Sequence, residues 1–251
     1  MPKVIVSVTS FGEKMNNLLP KVMYLLLNKQ SFKEFKVCLT LNKEDYEMLS
    51  NELIKLLIET DTIDLIIAEK HLKPHLKYFY AMQKYKDLPI ITVDDDTILP
   101  DTAIEELYNT YLKYPNCICG RQVCELRKSN LPIIGSRNIV NDEPPNHKFL
   151  AEGFCGILYP PNCFGEFYND SEELKKIEEL VTDDDIYLKG LEIRKGIKVK
   201  KAILSSDIHL GQMDLGNEYE KFSLHAQFNS DSNRAKNMQK ITKELNSIGV
   251  Q

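Results

Sequence analysis

The chain has 251 residues and a mass of 29.0 kDa, room for one large α/β domain or two small ones. At that mass roughly 70–75% of the extended surface is buried on folding, so disulfide staples are unnecessary. Its 32 basic and 37 acidic residues leave a net charge of −5, which excludes the clustered cationic surface of a non-specific duplex binder; no nucleic-acid partner is expected. Residues 4–8 form a β-branched run, and Leu18, Leu19, Val22, Leu25 and Leu26 then recur at helical spacing. Residues 36–41 read as strand, 45–59 as helix, 64–68 as strand, and 76–85 as helix. Residues 89–93 are a near-continuous apolar run, the pattern of a strand covered on both faces. This alternation predicts βαβ units and a mainly parallel sheet.

Beyond Pro100 the rhythm changes. A helix is predicted over 101–114 with Asp101 as N-cap, followed by short strands broken by Gly, Pro and Asn. A candidate mobile loop lies at 136–147. A helical zone at 171–195, a strand at 199–204 and a terminal helix at 232–246 complete the chain, the last carrying Arg234, Lys236, Lys240 and Lys243. The apolar run at 4–8 is too short for a secretory signal, and residues 18–27, interrupted by Pro20 and Lys21, fall short of the ~20 residues of a bilayer span. Cys38, Cys117, Cys119, Cys124, Cys155 and Cys163 form no CxxC pair and no zinc spacing. The expectation is therefore a cytoplasmic protein with reduced thiols.

Asp94, Asp95 and Asp96 stand directly behind Ile90-Ile91-Thr92-Val93, at the carboxyl end of a buried strand, where open α/β sheets place ligands. Along an extended chain Asp94 and Asp96 project to one side and Asp95 to the other. Three adjacent carboxylates repel, and a hard divalent cation such as Mg²⁺ or Mn²⁺ relieves the repulsion. A solvated acidic turn is the plainer alternative. Asp183, Asp184 and Asp185 precede Ile186, Tyr187, Leu188, Leu191 and Ile193, so they sit at a helix N-terminus. Capping explains one or two of them; a surplus carboxylate beside a metal–diphosphate site can serve as general base. His209, or Asp207 in its stead, is a candidate to complete a metal shell begun by Asp96. Gly153-Phe154-Cys155-Gly156 would let backbone pass close to a ligand, or form a plain turn. Lys73, His75, Lys77 and Arg121 are candidate phosphate holders.

Four segments in this order carry a resemblance: Val8-Thr9-Ser10-Phe11; Lys77-Tyr78-Phe79-Tyr80-Ala81 before Ile91-Thr92-Val93-Asp94-Asp95-Asp96; Gly156-Ile157-Leu158-Tyr159-Pro160-Pro161; and Asp184-Asp185-Ile186-Tyr187-Leu188-Lys189. Over about residues 3–210 the chain resembles bacterial nucleotide-sugar glycosyltransferases of the GT-A fold, those that build capsular and lipopolysaccharide glycans. The resemblance implies a Rossmann-like α/β fold with a mixed, mainly parallel sheet flanked by helices. It implies one domain over 1–251, with a nucleotide-binding half (1–100), an acceptor-side half (101–230) and a C-terminal helix (231–251).

The resemblance also implies roles. Asp94, Asp95 and Asp96 look like the DxD motif that touches the ribose and holds a metal on the donor diphosphate, with Asp96, Asp94 and His209 as metal ligands. Thr9, Ser10 and Phe11 look like the first nucleotide-contacting loop, with Lys77 beside the donor. Asp184 and Asp185 are similar to the family's catalytic acidic pair. The implied cofactors are Mn²⁺ or Mg²⁺ and a UDP-sugar donor. The implied partner is a glycan or lipid-linked saccharide acceptor, with peripheral contact at the inner face of the cytoplasmic membrane. Lys14 stands where the family carries Arg, and Tyr187 where Trp is more usual. If transfer inverts, Asp185 takes the acceptor proton; if it retains configuration, the same carboxylate stabilises an oxocarbenium face. The residues leave both open.

Three rival readings compete with this one. A phosphatase or phosphotransferase of the haloacid-dehalogenase type needs DxDx[T/V], but Thr97 directly follows Asp96 and Ile98 takes the required place. A nucleotidyltransferase needs a Gly-rich basic loop after strand one, which is missing. A non-catalytic cation-binding module would bind metal without nucleotide.

Overall fold

In the computed structural model, which describes residues 1–127, 135–139, 142–205 and 231–250, the chain begins with strand β1 (Val4–Thr9), buried along nearly its whole length. Val4, Val6 and Val8 face one core; Ile5 faces another beneath Ala81. Helices therefore cover both sheet faces, as the apolar runs require. Helix α1 (Gly12–Asn17) and helix α2 (Leu19–Lys29) follow, α2 carrying Pro20 in its first turn and burying Leu19, Val22, Met23 and Leu26. Each such side chain contributes about 1.5–3 kcal/mol by leaving water.

Strand β2 (Phe35–Asn42) leads to helix α3 (Lys43–Glu47) and helix α4 (Glu52–Glu59). The single helix expected over 45–59 is broken here. Asn16 Oδ1 accepts from the N–H groups of Ser50 and Asn51 at 2.9 and 3.0 Å, and the Asn51 side chain starts α4 by accepting from Leu53 and Ile54. Strand β3 (Ile63–Ala68), a 3₁₀ turn at Lys73–His75, helix α5 (Leu76–Lys84) and strand β4 (Ile90–Thr92) complete the first half.

Helix α6 (Ala103–Lys113) starts two residues later than expected. Thr102, not Asp101, takes the N-cap position, without a side-chain bond, while the Asp101 carbonyl accepts from Ser31 N–H. Strands β5 (Cys117–Gly120), β6 (Val123–Arg127), β7 (Gly135–Asn138), β8 (Phe149–Ala151) and β9 (Ile157–Tyr159) follow. Part of the expected loop at 136–147 is thus strand, paired with β6. Helix α7 (Ser171–Glu179), helix α8 (Asp184–Arg194), strand β10 (Lys198–Lys201), helix α9 (Asp231–Lys240) and helix α10 (Thr242–Ser247) end the described chain.

The main sheet has seven strands in the order β10-β5-β9-β4-β1-β2-β3. All its pairings are parallel except those of β9, which runs antiparallel between β4 and β5. β7, β6 and β8 form a small antiparallel sheet. This is the mixed, mainly parallel α/β architecture read from the sequence. All six cysteines are free. Among the described residues no helix is long and apolar enough to cross a membrane.

Candidate functional site

The carboxyl ends of β1, β2 and β4 open on a cavity of about 720 Å³. Central strands in a parallel sheet end in exposed loops, and side chains just past the last ladder bond are free to face solvent. Asp94, Asp95 and Asp96 all line this cavity. The alternation expected of an extended chain fails because the backbone turns at Asp95 and Asp96, which brings Asp95 to the same side as its neighbours.

Each carboxylate has its own partner. Asp94 Oδ1 lies 3.0 Å from Lys77 Nζ. Asp95 accepts a short hydrogen bond from the Ser10 hydroxyl. Asp96 Oδ2 lies 2.6 Å from Lys14 Nζ, which is also 3.9 Å from Asp95. Burial pushes Asp95 up to about 7, Asp96 and Asp94 adding to the rise while Lys14 and Ser10 oppose it. Burial likewise raises Asp94 against the pull of Lys77. Burial disfavours the Lys14 ammonium, but Asp95 and Asp96 outweigh it and hold Lys14 above its ordinary value.

The second acidic triplet divides its work. Asp183 is the N-cap of α8, its side chain accepting from Ile186 N–H at 3.4 Å, and it does not line the cavity. Asp184 and Asp185, in the first helical turn, do. Lys77 Nζ lies 2.8 Å from Asp184 Oδ2 as well as 3.0 Å from Asp94, so one buried ammonium ties the two triplets together. Burial penalises the Lys77 charge; Asp184, Asp94 and Asp185 more than offset it and hold Lys77 well above its usual range. Burial also opposes the Asp184 charge, yet Lys77 keeps that carboxyl below its usual range.

Asp185 accepts from Gly153 N–H at 3.2 Å, and Arg234 Nη2 stands 3.9 Å away. Burial, then repulsion from Asp184, push Asp185 up to about 8, with Lys77 and Arg234 pulling back. Gly153 permits a close approach: a Cβ there would stand 2.9 Å from both Asp185 Oδ1 and Lys77 Nζ, so both side-chain ends would have to shift. The 3₁₀ turn at Gly153–Cys155 thus aims a backbone donor at a carboxylate that would otherwise be unsupported.

Thr9, Ser10 and Phe11 line the same cavity, Thr9 donating to the Thr40 carbonyl at 2.8 Å and Phe11 exposed. Of the candidate phosphate holders, Lys73 and Lys77 line it; His75 and Arg121 do not. His75 is fully buried and held neutral by burial. Its Nε2 donates to the Leu180 carbonyl at 2.9 Å, and Nδ1 accepts from the Tyr78 hydroxyl at 2.5 Å. Arg121 is buried against Glu106 at 3.0 Å. Both are core residues. His209 and Asp207 lie outside the described residues.

Sequence reasoning missed part of the lining. Asn42, Asp45 and His71 sit at the β2 end of the cavity, with Asp45 Oδ1 accepting from Gly12 N–H at 2.9 Å and Oδ2 from Asn42 at 2.6 Å. The Asn42-x-x-Asp45 spacing after a strand signals a helix cap, which Asn42 provides, and nothing in it announces a ligand pocket. Glu152 and Arg234 also line the cavity, and no local sequence pattern points to them.

No protein-family model and no curated sequence relative matches the chain. Solved structures do. S. aureus TarS 1–349 superposes with a TM-score of 0.55 at 11% identity, over 99% of this chain and 73% of that one. The same TarS fragment in complex with UDP gives 0.53 at 12% identity, over 98% and 72%. A longer TarS structure gives 0.54 at 12% identity, over 98% of this chain and 44% of its own. At such identities the likeness is one of fold: this chain folds as TarS does.

Proposed function

We propose that the protein is a glycosyltransferase that moves a sugar from a nucleotide-diphosphate donor, a UDP-sugar, to a hydroxyl of a glycan or lipid-linked saccharide. One observation carries this reading: Asp94, Asp95 and Asp96 share one cavity with Asp184 and Asp185, about ninety residues later in sequence, at the carboxyl end of a parallel sheet, where such folds bind ligands. The fold held in common with TarS, crystallised with UDP, supports the choice of donor. A capsular or lipopolysaccharide acceptor remains part of the proposal and rests on the motifs alone.

Among the described residues seven carboxylates line the cavity against four fixed cations, Lys14, Lys73, Lys77 and Arg234. A diphosphate would add further negative charge. That excess, with burial and repulsion already driving Asp95 towards protonation, is the donor chemistry that suits Mn²⁺ or Mg²⁺. Asp96 and Asp94 would hold the ion; among the described residues no three metal-binding side chains are already gathered. Bound there, the ion would supply charge stabilisation for the departing diphosphate.

The chain's own residues have separable tasks. Ser10 fixes Asp95 against the first loop, Thr9 and Phe11 bound the nucleotide end, and Lys14 carries positive charge beside Asp96. Lys77 keeps Asp94 and Asp184 charged and close. Asp185, steadied by Gly153 N–H, takes the acceptor proton at its carboxylate oxygen as the hydroxyl attacks. Calorimetry with UDP, with and without Mn²⁺, tests donor binding, and transfer assays on D96A and D185A test the site. Loss of transfer in both folded variants is expected; near-normal turnover in both would overturn the reading.

A further inference from the structure

Helix α9 meets the acidic end of α8 through Asn237 and Arg234. Ala235, Met238, Ile241 and Leu245 are buried. Gly190 of α8 makes this approach possible, since a Cβ there would stand 2.9 Å from Ile241 Cγ2. Arg194 Nη1 bonds Glu244 at 2.7 Å, Lys240 donates to the Glu179 carbonyl, and Asn237 donates to Asp183 Oδ2 at 3.2 Å. One helical turn before Asn237, Arg234 enters the cavity wall. Its side chain is about one-third exposed, and its guanidinium lies 3.9 Å from Asp185 Oδ2 and makes no hydrogen bond among the described residues.

We propose that Arg234 is a positioning residue for Asp185, drawing that carboxyl group towards its guanidinium at the cavity wall from a helix outside the sheet. The role attached to Asp185 rests on the function proposed above; the contact itself does not. The other groups facing Asp185 or Arg234 are Asp183 and Asp184 on the helix of Asp185, Lys77 from α5, Glu152 before the Gly153 turn, which faces Arg234, and the neutral Tyr159 and Cys124 from β9 and β6. Three of these are like charges. Lys77 is shared with Asp94 and Asp184, and Arg234 is the second cation, after Lys77, that pulls on Asp185 among the described residues. An opposite charge at such range shifts a carboxyl by about 1–3 pH units.

The test is carbon-13 carboxyl NMR on the full chain labelled at aspartate, with D185N identifying the Asp185 signal. The wild-type midpoint is expected near about 8. In R234Q, and in R234M should the glutamine chain fail to fold, it rises by about 1–3 units; R234K brings it back most of the way, and K236Q on the same helix leaves it in place. An unmoved midpoint in both neutral variants overturns the proposal. In transfer assays the acid limb of kcat moves with the NMR midpoint while UDP affinity is unchanged. If UDP binds neither wild type nor variants, the proposed function fails while the NMR result still decides the role of Arg234.

Discussion

Replacing Lys77 by Met would keep the stem's volume in the core and remove the charge that joins the two acidic triplets. At an effective dielectric of 20, a pair of unit charges 2.8–3.0 Å apart is worth about 5–6 kcal/mol before desolvation. Most of that is offset by taking the ions out of water, so the net worth of the network is small. Breaking it is not, because Asp94 and Asp184 stay buried without a partner, at a cost of about 3–5 kcal/mol. Such a loss is a large part of a typical stability of about 5–15 kcal/mol.

The deficit must depend on pH. Without Lys77 both carboxyls would have folded-state values above their unfolded ones, so the penalty is present at neutral pH and relieved as protons bind on acidification. Urea unfolding of K77M and wild type at pH 7 and pH 5 reads this directly, through the midpoint at constant m. The double variant K77M/D184N should recover a substantial part of the loss at pH 7. A K77M chain within about 1 kcal/mol of wild type at pH 7, or one whose deficit grows on acidification, would refute the bridging role.

Transfer should follow the carboxylate form of Asp185. With its carboxyl raised to about 8, kcat rises with pH up to that value and falls about tenfold per unit below it; a flat profile from pH 6 to 8 would exclude Asp185 as the base. G153A should lower kcat by at least about tenfold, since its methyl would collide with Asp185 and Lys77, while circular dichroism shows the fold retained; an unchanged kcat would contradict the geometry. Cys38, Cys119, Cys124 and Cys155 are buried, and burial pushes each thiol up to about 12. A disulfide reagent should modify these four only after unfolding and all six in denaturant; fast native labelling of Cys155 would argue against the packing beside the Gly153 turn.

The sheet was legible because its strands are apolar runs separated by helical patterns, a signal that survives without neighbours. The Asp94–Asp96 placement was legible for the same reason: Ile90 and Ile91 leave no doubt where the buried strand ends. What failed was finer. The turn at Asp95 and Asp96 cancelled the alternation argument, and Asn16 reached across to split the helix after β2. His75 and Arg121 were misread because a cationic or titratable residue looks alike in sequence whether it faces a cavity or a core. Only packing shows that Tyr78, Leu180 and Glu106 have already taken their donors and acceptors. Arg234 was invisible because its role depends on Gly190, forty-four positions earlier, leaving room for a docked helix.

Strand β9 comes late in the chain yet sits in the middle of the sheet. Because it is inserted between β4 and β5, the first hundred residues end in a strand whose outer rim is closed only by chain that has yet to be made. During synthesis or after proteolysis, a fragment stopping short of Ile157 would present bare β4 amides and carbonyls to any passing chain. The nascent protein should therefore clump when truncated there, and stay dispersed once the later segment has slotted in.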